Sequence, residues 1–266
     1  ALGIAAQGFF GQSHAMEVVH FRNAAPVRGV ATGDRTDRLP VWGHVSMPKG
    51  KGPFPAVVLL HGCRGLQQQQ FRWARFLNRL GYLTLILDSF GPRSIVQTCA
   101  ESPSPRAFAD RRLDTIGARA YLVSRPDVDP QSLALMGWSR GAVLALDLLS
   151  RQQGVARQDF KAAVAFYPYC MLEADIRHPV LIMIGGADDR SPAGRCRQLT
   201  VRNAPVGTIE LVVYPRVFHA FDMIELLEGF GLQGPTRQYW VKFDPRAYQD
   251  SLFKVQSFLS RHLAGP

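Results

Sequence analysis

The chain reads as an α/β protein with a mostly parallel central sheet and helices on both faces. Three observations predict this class. Short continuous apolar runs, bounded by Pro or Gly, have the length and composition of strands buried on both faces. Between them lie segments whose apolar residues recur at helical spacing, and this alternation implies parallel strands joined by right-handed helical crossovers. The scale also fits, since 266 residues with 47% hydrophobic and 20% charged side chains suffice for one α/β unit with a substantial core.

Taken in order, residues 41–48 (VWGHVSMP) read as an edge strand and 53–62 (PFPAVVLLHG) as a fully buried one. QQQQ at 67–70 reads as a short polar loop. In 71–82, Phe71, Ala74, Leu77 and Leu80 share a helical face, and Gly81 suits the C-terminal end. Residues 83–90 (LTLILDSF) are a second buried strand, and 107–125 a long helix stopped by Pro126. Residues 132–138 (SLALMGW) form a strand and 141–152 a helix. Segments 161–169 (KAAVAFYPY) and 179–189 (PVLIMIGGADD) are strands. Residues 191–201 form a helix with Ser191 as cap and Pro192 in its first turn. Residues 208–215 (TIELVVYP) are the last strand, and 244–263 a closing helix capped by Asp244. Two connections are long, 91–106 and 220–243, and long loops at the functional edge of such a sheet serve as pocket walls or lids. The reading is one domain over residues 16–266.

Residues 1–15 (ALGIAAQGFFGQSHA) carry no Lys, Arg, Asp or Glu. They resemble the back half of a secretory signal, with Ser13 and Ala15 at positions fit for signal-peptidase cleavage. A periplasmic or secreted location is therefore favoured over a cytoplasmic one. Four cysteines, an even number, suit two disulfides in such a protein. Of the three connectivities, Cys63–Cys99 and Cys170–Cys196 are preferred, because each pair starts from neighbouring elements on one edge of the sheet. The formal net charge is +10, but the basic residues are scattered, mostly as Arg. That pattern predicts a solvated basic surface and no nucleic-acid partner. No apolar run reaches the roughly 18 residues needed to span a bilayer, so no membrane span is expected.

The chemistry centres on Gly137-Trp138-Ser139-Arg140-Gly141. A serine between two glycines, placed where a buried strand ends and a helix begins, is the pattern of a nucleophile elbow. Its hydroxyl needs a base, and the base an orienting acid, in the chain order serine, acid, histidine. Of seven histidines, His14, His20, His44 and His61 precede the serine. His178 introduces a strand and His262 lies in the terminal helix. His219, in the loop after the last strand, is the candidate base. Asp188, first after the strand and Gly-Gly turn, is the preferred acid. Asp189 is the alternative, able instead to cap the next helix, and Asp222 a third, able instead to brace the loop. Backbone N–H groups of Cys63 and Arg140 are the expected oxyanion donors, and His61 reads as a structural hydrogen-bonding residue. Serine, histidine and aspartate supply nucleophile, base and orienter, so no cofactor or metal is expected. The chain has no P-loop, H-E-x-x-H or dinucleotide fingerprint.

Six segments in order, PFPAVVLLHGCRGL, GYLTLILDSFGPR, MGWSRG, AFYPYC, IGGADDRSP and FHAFD, resemble the dienelactone hydrolase family of α/β-hydrolases. The resemblance runs from about residue 40 to the C-terminus. It implies the α/β-hydrolase fold and a triad of Ser139, Asp188 and His219. The enzyme that names the family uses a cysteine nucleophile, whereas this chain has Ser139, which points to the family's broader serine esterases.

The expected function is a serine hydrolase that cleaves small carboxylic esters or lactones through an acyl-enzyme. Trp138, Tyr167, Tyr169 and Phe218, near strand ends, suggest an apolar acyl or aryl pocket. A peptidase, thioesterase or acyltransferase would use the same residues, and a basic binding protein that keeps the fold without catalysis is a third class.

Overall fold

The computed structural model describes residues 16–25, 38–102, 104–150 and 160–263. The expected leader at 1–15, and the end of the helix expected over 141–152, lie outside them. The strands are β1 (Glu17–Arg22), β2 (Pro40–Ser46), β3 (Phe54–Leu60), β4 (Leu83–Asp88), β5 (Val128–Trp138), β6 (Ala162–Phe166), β7 (Val180–Gly185) and β8 (Ile209–Tyr214). They form one sheet in the order β1-β2-β4-β3-β5-β6-β7-β8. The β1–β2 and β2–β4 pairs are antiparallel, and every pair from β4 to β8 is parallel.

The burial pattern follows that order. β3, β6 and β7 are buried at every residue, as their unbroken apolar sequences require. β8, at the sheet edge, is only partly covered. The strand expected to be the edge, over residues 41–48, is instead second in the sheet, because β1 pairs along its outer side. The sequence reading missed β1: its six residues mix Val and Phe with Glu, His and Arg, and most stay exposed.

Among the described residues, five α-helices complete the layers: α1 (Gln68–Arg79), α2 (Pro105–Val123), α3 (Arg140–Leu149), α4 (Ala193–Arg202) and α5 (Pro245–His262). The crossover β3–α1–β4 runs one way along the sheet, while β4–α2–β5, β5–α3–β6 and β7–α4–β8 run the other. Right-handed connections running in opposite directions put α1 on one face and α2, α3 and α4 on the other. α5 returns to the face of α1, where Tyr248 meets Trp73 edge-on.

Two helix starts differ from expectation. The glutamines at 67–70 open α1 instead of forming a loop: Gln67 caps it, reciprocated by Gln70, and Gln69 and Gln70 are buried. α4 begins after Pro192, and the backbone N–H of Ser191 donates to Asp188 Oδ1 at 2.7 Å, so Ser191 serves the loop that carries Asp188 rather than the helix. Asp244 caps α5 as expected, accepting from the Ala247 N–H at 2.9 Å.

The long 220–243 connection contains a hairpin of β9 (Phe230–Gln233) and β10 (Gln238–Val241). Both expected disulfides are present, Cys63–Cys99 and Cys170–Cys196. The strand order reverses direction around β3, so the loops after β3 and β5 diverge to opposite faces. A crevice opens there, outside the C-terminal strand ends.

Candidate active site

Ser139 follows β5 directly, in a left-handed conformation with φ of 51°. Only a tight fit of strand to helix holds a non-glycine residue there. Its N–H donates to the Phe166 carbonyl at 2.9 Å, and its carbonyl accepts from Val143 at 3.0 Å, so the turn is clamped on both sides. The flanking glycines are required sterically. A Cβ on Gly141 would run into the Leu60 carbonyl oxygen, and one on Gly137 into the carbonyl of Gly141.

The loop after β8 brings His219 to the serine. Its Nε2 lies 3.1 Å from Ser139 Oγ, and its Nδ1 lies 2.8 Å from Asp188 Oδ2. His219 and Asp188 are almost fully buried. The other Asp188 oxygen accepts from the N–H groups of Arg190 and Ser191, which fixes the carboxylate plane. Asp189 faces away. Its Oδ1 accepts from the Trp240 N–H and its carbonyl from Arg237, so it ties the β9–β10 hairpin to the acid loop. That hairpin in turn holds the histidine loop, through a bridge of Val241 with His219 and a bond from the Lys242 N–H to the His219 carbonyl at 3.1 Å. Asp222 does not approach the imidazole nitrogens, both of which are engaged by Asp188 and Ser139.

The expected donor Cys63 lies in the loop after β3. Gly62 lies against the elbow, where an added Cβ would sit 3.5 Å from Ser139 Cβ. Cys63, next in the chain, lines the same cleft as Ser139 and is tied by its disulfide to Cys99. Arg140 is the first residue of α3. Its N–H has no intrahelical acceptor and lies at the positive end of the helix dipole. The Arg140 side chain turns away from the cleft, to Thr98 and the Glu101 carbonyl.

His61 stabilises this loop as a neutral ring. Its Nε2 accepts from the Ser89 N–H, so Nδ1 carries the proton and donates to the Gly62 carbonyl at 2.8 Å. That carbonyl belongs to the same peptide unit as the Cys63 N–H, so the bond both fixes and polarises the expected donor. Burial first, then the Arg111 guanidinium beside it, pulls the His61 pKa down to about 3. The unfolded chain protonates His61 near its ordinary value of 6.5, so its contribution is complete above that pH and is lost as pH falls towards 3. Within that window the loss is about 1.4 kcal/mol per pH unit. Urea unfolding of the wild type and of His61→Asn is expected to differ in slope by about this amount. Parallel profiles would contradict it.

Ser139 opens into a cleft of about 440 Å³, counted out to its mouth. Trp138 and Tyr167 line it. Phe218 does not: with His219 directed inward, its neighbour points the other way, and its ring lies 6.5 Å from that of Trp240. Tyr169 is half exposed, under the Arg195 guanidinium. The rest of the wall draws on the long 220–243 connection and on the glutamines at 67–70, whose individual residues sequence reasoning did not name. It includes Gln67, Gln69 and Gln70 of the α1 entry, Met223 and Leu226 after the histidine, and Leu232, Tyr239 and Val241 of the hairpin. Its signal was present in residues 230–241 (FGLQGPTRQYWV), two short alternating runs around a Gly-Pro turn.

The family model described as the dienelactone hydrolase family matches residues 41–263. The chain belongs to the dienelactone hydrolase family. Membership makes it a hydrolase. An uncharacterized protein of Mycobacterium tuberculosis is 27% identical over 222 residues, 76% of this chain and 74% of that protein. Among solved structures, the fold matches a dienelactone hydrolase-like promiscuous phosphotriesterase from metagenomic libraries. The TM-score is 0.69 at 21% identity, covering 94% of this chain and 100% of the other. It also matches a propionate-bound thermophilic esterase of Thermogutta terrifontis, with a TM-score of 0.63 at 18% identity, over 91% of this chain and 97% of the other. No helix among the described residues is long and apolar enough to cross a membrane.

Proposed function

We propose that this chain is a serine esterase that hydrolyses small carboxylic esters or lactones through an acyl-enzyme, with residues 16–266 as one catalytic unit. The observation that carries the reading is the continuous hydrogen-bonded relay from Ser139 Oγ through His219 to Asp188 on a strained elbow. In this reading Ser139 Oγ attacks the substrate carbonyl carbon while His219 Nε2 takes its proton. The carbonyl oxygen becomes an oxyanion facing the N–H groups of Cys63 and Arg140. Collapse breaks the ester C–O bond, and the leaving alcohol takes the proton back from His219. Water then attacks the acyl-serine, giving its proton to His219, and the carboxylic acid leaves as Ser139 is regenerated. Asp188 keeps the imidazole tautomer with its proton on Nδ1 and stabilises the imidazolium. No step calls for a cofactor or metal.

The cleft favours a short apolar acyl group, because Met223, Leu226, Leu232 and Val241 close it within a modest volume. The two disulfides support an exported protein. The test is a panel of nitrophenyl esters from acetyl to decanoyl, with a lactone, a thioester and a peptide alongside. Acetyl to butyryl esters are expected to give the highest kcat/KM. A faster thioester or peptide would replace the substrate class while leaving the serine chemistry in place.

A further inference from the structure

Asp222 is 1% exposed, and its hydrogen-bonding partners are all neutral. The indole N–H groups of Trp73 and Trp138 both donate to Oδ2 at 2.8 Å. Gln69 Nε2 at 2.6 Å and the Tyr167 hydroxyl at 2.8 Å donate to Oδ1. Gln69 also donates to the Tyr167 hydroxyl at 2.8 Å. Burial raises the carboxyl's pKa, and these four donors oppose the rise. A carboxylate is an expensive group to bury with no cation beside it, and an apolar core would be easier to form.

The donors belong to the segments that hold the reacting residues. Trp138 is the residue before Ser139. Tyr167 follows β6 with a φ of 41°, and its ring lies 4.5 Å from that of His219. Asp222 itself stands three residues after His219, on the same loop. Gln69 and Trp73 fix the group to α1. One carboxylate therefore joins the nucleophile strand, the histidine loop and the ring packed against the imidazole.

Building on the esterase reading above, we propose that Asp222 is a positioning residue, which holds Ser139 through Trp138 and His219 through Tyr167 at their 3.1 Å separation. Asp222→Asn tests this with little steric change. Its amide oxygen can accept from both indoles, and its NH2 can donate to Tyr167 and Gln69 once that hydroxyl and amide reorient. With nitrophenyl acetate, kcat is expected to fall roughly 10- to 100-fold, with KM changed less than about threefold, since the reacting groups move relative to each other while the apolar wall of Met223, Leu226, Leu232 and Val241 stays in place. Tyr167→Phe keeps the ring and removes its anchor, so it lowers kcat less, and the double variant is expected to be no worse than Asp222→Asn alone. The downfield Nδ1 proton resonance of His219 is expected to shift in each. Trp73→Phe takes a donor from the same carboxylate but leaves its links to Trp138 and Tyr167 in place, and is expected to lower Tm at least as much as Asp222→Asn while costing less kcat.

A kcat within about twofold of wild type in Asp222→Asn would overturn the proposal, as would additive losses in the double variant. So would kcat losses that track Tm equally in Asp222→Asn and Trp73→Phe. If Asp222→Asn does not fold, Tyr167→Phe decides alone: lowered kcat at unchanged KM supports positioning, and unchanged kcat overturns it. A wild type inactive on nitrophenyl acetate would count against the esterase reading instead. The imidazole resonance would still report on Asp222, an unmoved signal overturning its role and a shifted one supporting it.

Discussion

Ser139→Ala is expected to remove ester hydrolysis while leaving the fold and Tm near those of the wild type. The hydroxyl accepts no packing load, and alanine matches serine at the elbow in all but Oγ. Loss of a nucleophile that works as a unit with its base costs roughly 10⁴- to 10⁶-fold in kcat. Binding is a separate matter, because the cleft walls and the N–H groups of Cys63 and Arg140 are unchanged. Substrate should therefore still bind to the inactive variant, visible as protection against urea. Activity within tenfold of wild type would remove Ser139 from the chemistry.

The second large effect separates two adjacent aspartates. Asp188→Asn keeps Oδ1 accepting from the Arg190 and Ser191 N–H groups, so the amide NH2 is turned towards His219. Nδ1 must then accept, Nε2 must carry the proton, and the ring can no longer receive one from Ser139. A tautomer reversal of this kind costs about 10⁴-fold in kcat. Asp189→Asn retains the oxygen that accepts from the Trp240 N–H, and a change of no more than a few-fold is expected, roughly the scale of a lost partly exposed charge. Steady-state kinetics of the two variants decide between them, and a larger loss in Asp189→Asn would reverse the assignment of the acid.

The legible parts of the sequence were those where one physical constraint acts locally. β3, β6 and β7 are buried on both faces, so their apolar runs have no competing explanation. The Gly-Trp-Ser-Arg-Gly turn was legible because backbone atoms fill the space beside Gly137 and Gly141. The cysteine pairing was legible because both bridges join elements at neighbouring strand ends.

What escaped depends on contacts made across the chain. β1 becomes a strand by pairing with β2, and its own alternation is weak. The glutamines at 67–70 read as polar loop, yet Gln69 is buried because Asp222, 153 residues on, gives it a partner. Phe218 lies near a strand end, which suggested a pocket residue, but neighbours on an extended loop point to opposite sides and His219 takes the inward one. Asp222 lay near enough to His219 in sequence to be weighed as its acid. Only the fold shows its carboxylate directed at two tryptophans, a glutamine and a tyrosine.

The most direct measurement is covalent labelling of the folded protein with a fluorophosphonate, followed by peptide mapping. An activated serine reacts, and an ordinary hydroxyl does not. The account predicts one label per chain, on Ser139, abolished by heat denaturation and strongly slowed in His219→Ala. A folded protein left unlabelled, or labelled at another serine, would contradict it.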